Sequence, residues 1–226
     1  MKKINWIILF AIVLLTDLFA VYSGNETLRY ITKPLLMPLV VIYFVSATRS
    51  FASPLKKWII AALAFSWAGD VLLMFEPGNS NFFIFGLVAF LIAHIFYILF
   101  YETVMQLEKF KKNYWLFVPV LIYYVALIYI LSPTLGDLKL PVRIYGVVIS
   151  YMLIQALQIG RLGDKTAVGL MIAGSVLFIA SDSILAINKF YKSFGYAGIA
   201  IMLTYGIAQV MITLGAVRYI NSASKQ

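Results

Sequence analysis

The sequence predicts an all-α polytopic membrane protein, a single transmembrane domain over residues 1–226 with about eight helices bundled around a polar cavity. Three observations carry that prediction. Of the 226 residues, 63% are hydrophobic and 12% are charged, more apolar surface than a soluble domain of this length can hide. Apolar runs of roughly 17–25 residues, the length a bilayer requires, recur along the whole chain. The breaks between them are short and rich in Gly, Pro, Asn and Ser, the residues that turn a backbone.

Taken in order, the first run spans 4–22. It follows Lys2-Lys3 and imitates a signal peptide, but no small-x-small cleavage site precedes Tyr22 and the run is long enough to cross, so it is read as a helix. The second run, 31–47, opens at Lys33-Pro34, and proline suits a first helical turn. Runs 57–75 and 81–101 are separated by Glu76-Pro77-Gly78-Asn79. The fifth, 114–132, stops at Ser132-Pro133. The sixth, 141–159, is parted from the seventh, 165–187, by Gly160-Arg161-Leu162-Gly163-Asp164, and the eighth covers 194–218. Trp6, Tyr30, Trp58, Trp115 and Tyr219 fall near run ends, where amphipathic rings anchor at the interface.

The formal net charge of +9 reflects lysines and arginines gathered in the short loops, which reads as topology and not as nucleic-acid binding. With the first helix starting inside, the inner side holds twelve basic residues: Lys2, Lys3, Arg49, Lys56, Lys57, Lys109, Lys111, Lys112, Arg161, Lys165, Arg218 and Lys225. The outer side holds six: Arg29, Lys33, Lys139, Arg143, Lys189 and Lys192. The positive-inside rule therefore places both termini in the cytoplasm. The chain has no cysteine and one histidine, which excludes iron–sulfur, thiolate-zinc and multi-histidine metal centres.

Against this background two aspartates stand out. Asp70 and Asp182 lie in matching stretches, Ala68-Gly69-Asp70-Val71-Leu72-Leu73 and Ala180-Ser181-Asp182-Ser183-Ile184-Leu185, each within an apolar run. A carboxylate at bilayer depth costs several kcal/mol unless it is paired or used, so it marks a functional site. The motifs recur about 112 residues apart, and Gly86 and Gly198 keep that offset, a weak sign of two four-helix halves, roughly 1–113 and 114–226. Asp17 in the first run is at a comparable depth. Lys33 either snorkels to the interface or turns inward to Asp17 or Asp70.

Helical spacing gathers further polar side chains onto common faces. In the fourth run Gly86, Phe90, His94, Tyr97 and Tyr101 form a stripe, and Ser66 lies four residues before Asp70. The sixth carries Tyr151, Gln155 and Gln158; the eighth carries Tyr205, Gln209 and Thr213. Lipid does not tolerate such faces, so they point to a shared interior, either as interhelical hydrogen bonds or as the wall of a cavity.

These residues also carry a resemblance. Lys33-Pro34-Leu35-Leu36-Met37-Pro38, Gly69 through Met74, and Gly86-Leu87 with Phe90, His94 and Tyr97 are followed by Gly174 through Phe178 to Ser181-Asp182-Ser183. Thr204-Tyr205 with Ala208-Gln209 completes the set. In this order and spacing the chain resembles the YhhN-like family of integral membrane lysoplasmalogenases. The resemblance implies hydrolysis of lysoplasmalogens, single-chain lipids with a vinyl ether at the first glycerol carbon, to a fatty aldehyde and a glycerophospho-ethanolamine or -choline. It implies a membrane lysophospholipid as partner, and placement in a bacterial cytoplasmic membrane is expected.

Vinyl ethers resist base and yield to acid: protonation of the alkene carbon gives an oxocarbenium ion, water adds, and the hemiacetal collapses. That requires a proton donor and a carboxylate that stabilises the cation and activates water. Asp70 and Asp182 suit the two tasks, and the pattern does not distinguish which is which. Lys33, His94, Tyr97, Tyr205, Gln209 and Asp17 are the candidates for holding the headgroup or the water. No metal or organic cofactor is required, and one chain is sufficient to form the site. The competing class is a proton-coupled lipid or small-molecule transporter, because intramembrane acids also relay protons.

Overall fold

The computed structural model describes residues 3–223, which contain helices and turns and no strand. Eight helices follow in order: α1 Lys3–Ser23, α2 Glu26–Thr48, α3 Lys56–Met74, α4 Asn81–Leu107, α5 Phe117–Leu131, α6 Lys139–Gln158, α7 Lys165–Ala186 and α8 Ala197–Ala223. All eight segments, α5 with the short 3-10 turn before it, are long and apolar enough to cross a membrane. Lys2 and Lys225 of the topology count lie outside the described residues.

The bundle has an apolar core like a soluble protein's and exposes apolar side chains on its outer surface as well. Ile8, Ile12, Leu15 and Phe19 form an exposed stripe on α1, whereas Phe10, Leu14, Asp17 and Ala20 face inward. α1, α2, α3, α4, α6, α7 and α8 pack in succession, with α8 closing onto α1 and α2; α5 rests on α6 and on the turn after α7. Small residues set the pairing of α7 with α8 at two points. A Cβ on Gly174 of α7 would stand 2.9 Å from the Ala208 carbonyl oxygen of α8, and one on Gly215 of α8 would stand 2.8 Å from that of Ala167. Such helices meet backbone to backbone, as small-residue interfaces in membranes allow. Gly86 faces Leu73 and Gly69 of α3, whereas Gly198 faces Val21 of α1, so the two glycines at equal offset do different work.

The second helix corrects one expectation. It begins at Glu26, capped by the Asn25 side chain, which accepts from the Leu28 N–H at 3.0 Å. Pro34 is therefore not in a first turn but two turns inside, with Pro38 one turn further. Pro38 has no N–H to give the Pro34 carbonyl, and the Trp67 indole of α3 supplies the missing donor at 2.9 Å. The extra turns carry Lys33 from the interface to a buried position facing α3. α4 and α8 likewise run six and five residues beyond their apolar runs, to Leu107 and Ala223.

Because the helices alternate in direction, α1 starts and α8 ends on one face. α2, α4, α6 and α8 start on the other face, where α3 and α7 end. The site opens there.

Candidate active site

Asp70 lies four residues before Met74, the last residue of α3, and Asp182 lies four before Ala186, the last of α7. Both line one cleft of about 200 Å3, together with Arg29, Lys33, Glu76, Phe90, Ser181 and Tyr205. A larger hollow of about 450 Å3 at the opposite face, lined by Ser50, Phe51 and Tyr219 among others, contains no carboxylate or basic group. The two aspartates of the matching stretches meet at the smaller cleft.

The two carboxylates have different neighbours. Asp70 is buried; the Lys33 ammonium stands 3.8 Å from its Oδ1, and the Tyr205 hydroxyl donates to its Oδ2 at 2.7 Å. The Gly69 backbone beside it packs against the Phe90 ring, which a Cβ at Gly69 would meet at 2.6 Å. Asp182 instead accepts from the Tyr145 hydroxyl of α6, and His94 Nε2 faces the same Oδ2 at 3.6 Å. Among the described residues, no lysine or arginine lies within ion-pair distance of Asp182.

Aromatic packing fixes these donors. The Phe178 ring lies 4.6 Å from the His94 ring, 5.4 Å from Tyr205 and 6.2 Å from Tyr97, centroid to centroid. His94 also meets Tyr145 edge to face at 5.5 Å. Rings interlocked in this way leave few rotamers open, so the hydroxyls of Tyr145 and Tyr205 are held toward the carboxylates.

The structure thus brings Lys33, Asp70, Tyr205 and Asp182 to the cleft wall, with His94 packed behind Asp182. Tyr97 and Gln209 lie deeper: the Tyr97 hydroxyl donates to Gln209 Oε1 at 2.5 Å, and Gln209 Nε2 donates to Ser66 at 3.0 Å. That chain of bonds ties α4 to α8 and α3 beneath the cleft. Asp17 is fully buried and accepts from the Thr32 hydroxyl at 2.7 Å; it does not line the cleft. Gln155 and Gln158 belong to the other face, where Gln155 and Tyr151 donate to Glu102, and Gln158 accepts from the Asn113 N–H. Gln155 and Tyr151 join α6 to α4, whereas Gln158 joins the end of α6 to the turn before α5.

Sequence reasoning missed Tyr145, Arg29 and Glu76. Glu76, seemingly a loop residue, lines the mouth and is ion-paired with Lys189. Tyr145 is one of 15 tyrosines; its only sequence signal is a place one turn inside the sixth apolar run.

Known proteins are similar to this sequence over most of its length. The chain is 30% identical over 189 residues to a rat (Rattus norvegicus) protein named lysoplasmalogenase TMEM86B, covering 82% of this chain and 71% of that one. It is 32% identical over 163 residues to a Mycobacterium tuberculosis protein named lysoplasmalogenase, covering 71% of this chain and 60% of the relative. With human lysoplasmalogenase TMEM86A it shares 29% over 174 residues, 74% of this chain and 68% of that one. No solved structure matches. The YhhN family profile matches residues 28–216, a stretch that runs from the start of α2 to the second half of α8 and contains both aspartates, and the chain belongs to that family.

Proposed function

We propose that this chain is a membrane lysoplasmalogenase that hydrolyses the vinyl ether of an alkenyl-glycerophospholipid with Asp182 as acid and Asp70 as base. The observation that carries the reading is the asymmetry of two carboxylates in one cleft. Lys33 offsets the negative charge of Asp70, so Asp70 serves as the carboxylate. Asp182 has only hydroxyl and imidazole neighbours and serves as the proton donor.

In this scheme Asp182 gives its proton to the alkene carbon, and the adjoining carbon becomes an oxocarbenium ion. Asp70 stabilises the cation and takes a proton from the water that adds to it. The hemiacetal then loses its hydroxyl proton to Asp182 while Asp70 returns a proton to the departing glycerol oxygen. Both carboxyl groups are restored, and the products are a fatty aldehyde and a glycerophospho-alcohol. Tyr205 and Tyr145 hold the carboxyl groups in place; Tyr97 and Gln209 brace α4, α3 and α8 below them. All these residues come from one chain, so a monomer suffices. The setting is a bacterial cytoplasmic membrane, and the loop charges favour an α1 start and an α8 end in the cytoplasm.

The test is aldehyde release from an alkenyl-glycerophosphoethanolamine by the purified protein in detergent, beside Asp70→Asn and Asp182→Asn. Each Asn variant is expected to lose roughly 10²–10⁴-fold in rate, the worth of a positioned proton-transfer group. A folded, lipid-bound wild type that releases no aldehyde overturns the reading. So does a variant that turns over at the wild-type rate.

A further inference from the structure

The cleft mouth has a cation that is held in no ion pair among the described residues. Of the basic residues there, Lys33 is paired with Asp70 and Lys189 with Glu76. Arg29, one turn before Lys33 on α2, lines the same cleft and has no carboxylate within ion-pair distance among the described residues. Its Nε is buried without a hydrogen-bond partner. A buried guanidinium nitrogen left unbonded is costly, and a ligand oxygen removes that cost. The guanidinium lies three residues into α2, at the depth of lipid headgroups, and its planar fork matches a phosphate.

We propose that Arg29 binds the phosphate of the lipid headgroup and thereby sets the depth at which the substrate enters the cleft. The proposal rests on the lipid-hydrolase reading, because the anion is taken to be part of the substrate. Arg29 precedes Lys33 by four residues on one helix, so both side chains lie on the same face, one above the other. A phosphate held at Arg29 leaves the glycerol ether to reach inward, toward Lys33 and the two aspartates. Lys33 cannot take the phosphate without leaving Asp70 as an uncompensated buried charge. Lys189 cannot take it without giving up Glu76. Arg29 binds an anion without breaking an ion pair.

The experiment measures binding, not turnover, by native mass spectrometry of the detergent-solubilised protein. The probes are three: a non-cleavable 1-alkyl-glycerophosphoethanolamine, the matching 1-alkylglycerol, and inorganic phosphate. Wild type is expected to bind the phospholipid analogue at least about tenfold more tightly than the alkylglycerol, the worth of one charge-assisted hydrogen bond. Arg29→Gln should erase that preference while leaving alkylglycerol binding unchanged, and Arg29→Lys should restore part of it. Equal binding of the two lipids by wild type overturns the proposal. An Arg29→Gln variant that loses affinity for both lipids alike, or that keeps the preference, also overturns it. Inorganic phosphate binding as tightly as the phospholipid analogue would make the site one for free anion, and the lipid assignment would fall. The hydrolase reading fails separately: headgroup-dependent binding without aldehyde release leaves Arg29 in place and removes the reaction.

Discussion

At the residue scale, the site is a matter of which charge faces which. The two aspartates were legible in the sequence because a carboxylate inside an apolar run has few bland explanations. Their partners were not. Lys33 had two options on paper, the interface or a carboxylate, and the structure places it 3.8 Å from Asp70. That pairing changes the expected phenotype of Lys33→Met. If Lys33 held phosphate, KM would rise; paired with Asp70, it should lower kcat about tenfold or more with KM little changed. The variant also strands a buried carboxylate, a loss of about 3 kcal/mol in stability. Lys33→Met with Asp70→Asn should recover the stability but not the turnover, as thermal unfolding and aldehyde release report. Tyr145→Phe is the parallel test at the second carboxylate. It removes the hydroxyl that Asp182 accepts from, and kcat should fall about tenfold with the bundle intact. A wild-type kcat for that variant would remove Tyr145 from the site.

At the element scale, hydropathy located every helix but misplaced several ends. Glu26-Thr27-Leu28-Arg29-Tyr30 reads as a loop by polarity, yet Asn25 caps it and α2 starts there. The ends extend because a helix leaving the bilayer is no longer required to be apolar, a fact that hydropathy cannot register. Contacts between elements were still less visible. Gly174 stood out in sequence only as part of the family motif and Gly215 not at all, but they decide how closely α7 approaches α8. Gly174→Leu should separate these helices, because its Cβ would sit 2.9 Å from the Ala208 carbonyl oxygen, and backbone cannot yield as a side chain does. Both Asp182 and Tyr205 ride on this pair, so thermal stability and turnover should fall together. A second tie at its far end is Asp164, which caps α7 through the Thr166 and Ala167 N–H groups and accepts from Arg218 of α8 at 2.5 Å. The Arg218 hydrogen bond holds the Asp164 carboxyl below the usual carboxylate range. Its contribution is therefore complete above the ordinary aspartate value, about 3.9, and is lost as pH falls through the lower folded value. Asp164→Ala should lower the unfolding temperature at neutral pH, and the difference from wild type should shrink in strong acid. Asp164→Asn keeps a cap acceptor and should fall between the two.

At the scale of the whole molecule, the unresolved quantity of the sequence was sidedness, and the structure sharpens its argument. The loop-charge count put Lys33 among the outer residues, but Lys33 is buried and ion-paired, so it is part of the site and not a topology signal. Away from the two chain ends, nine basic groups then remain on the face where α8 ends: Arg49, Lys56, Lys57, Lys109, Lys111, Lys112, Arg161, Lys165 and Arg218. Five remain on the cleft face: Arg29, Lys139, Arg143, Lys189 and Lys192. Arg29 and Lys189 border the cleft or its mouth, which weakens the outer count further as evidence of retention by charge. The bias predicts a cleft that faces away from the cytoplasm, with substrate entering from the outer leaflet. The chain has no cysteine, so single cysteines report its faces without background. Lys192 and Lys111 are exposed on opposite faces, after α7 and before α5 respectively. In intact spheroplasts a membrane-impermeant maleimide should label Lys192→Cys and spare Lys111→Cys until the membrane is opened. The reverse pattern would turn the cleft to the cytoplasmic leaflet. The bundle and the carboxylate pair would then stand unchanged, and the lipid that Arg29 meets would be drawn from the inner pool.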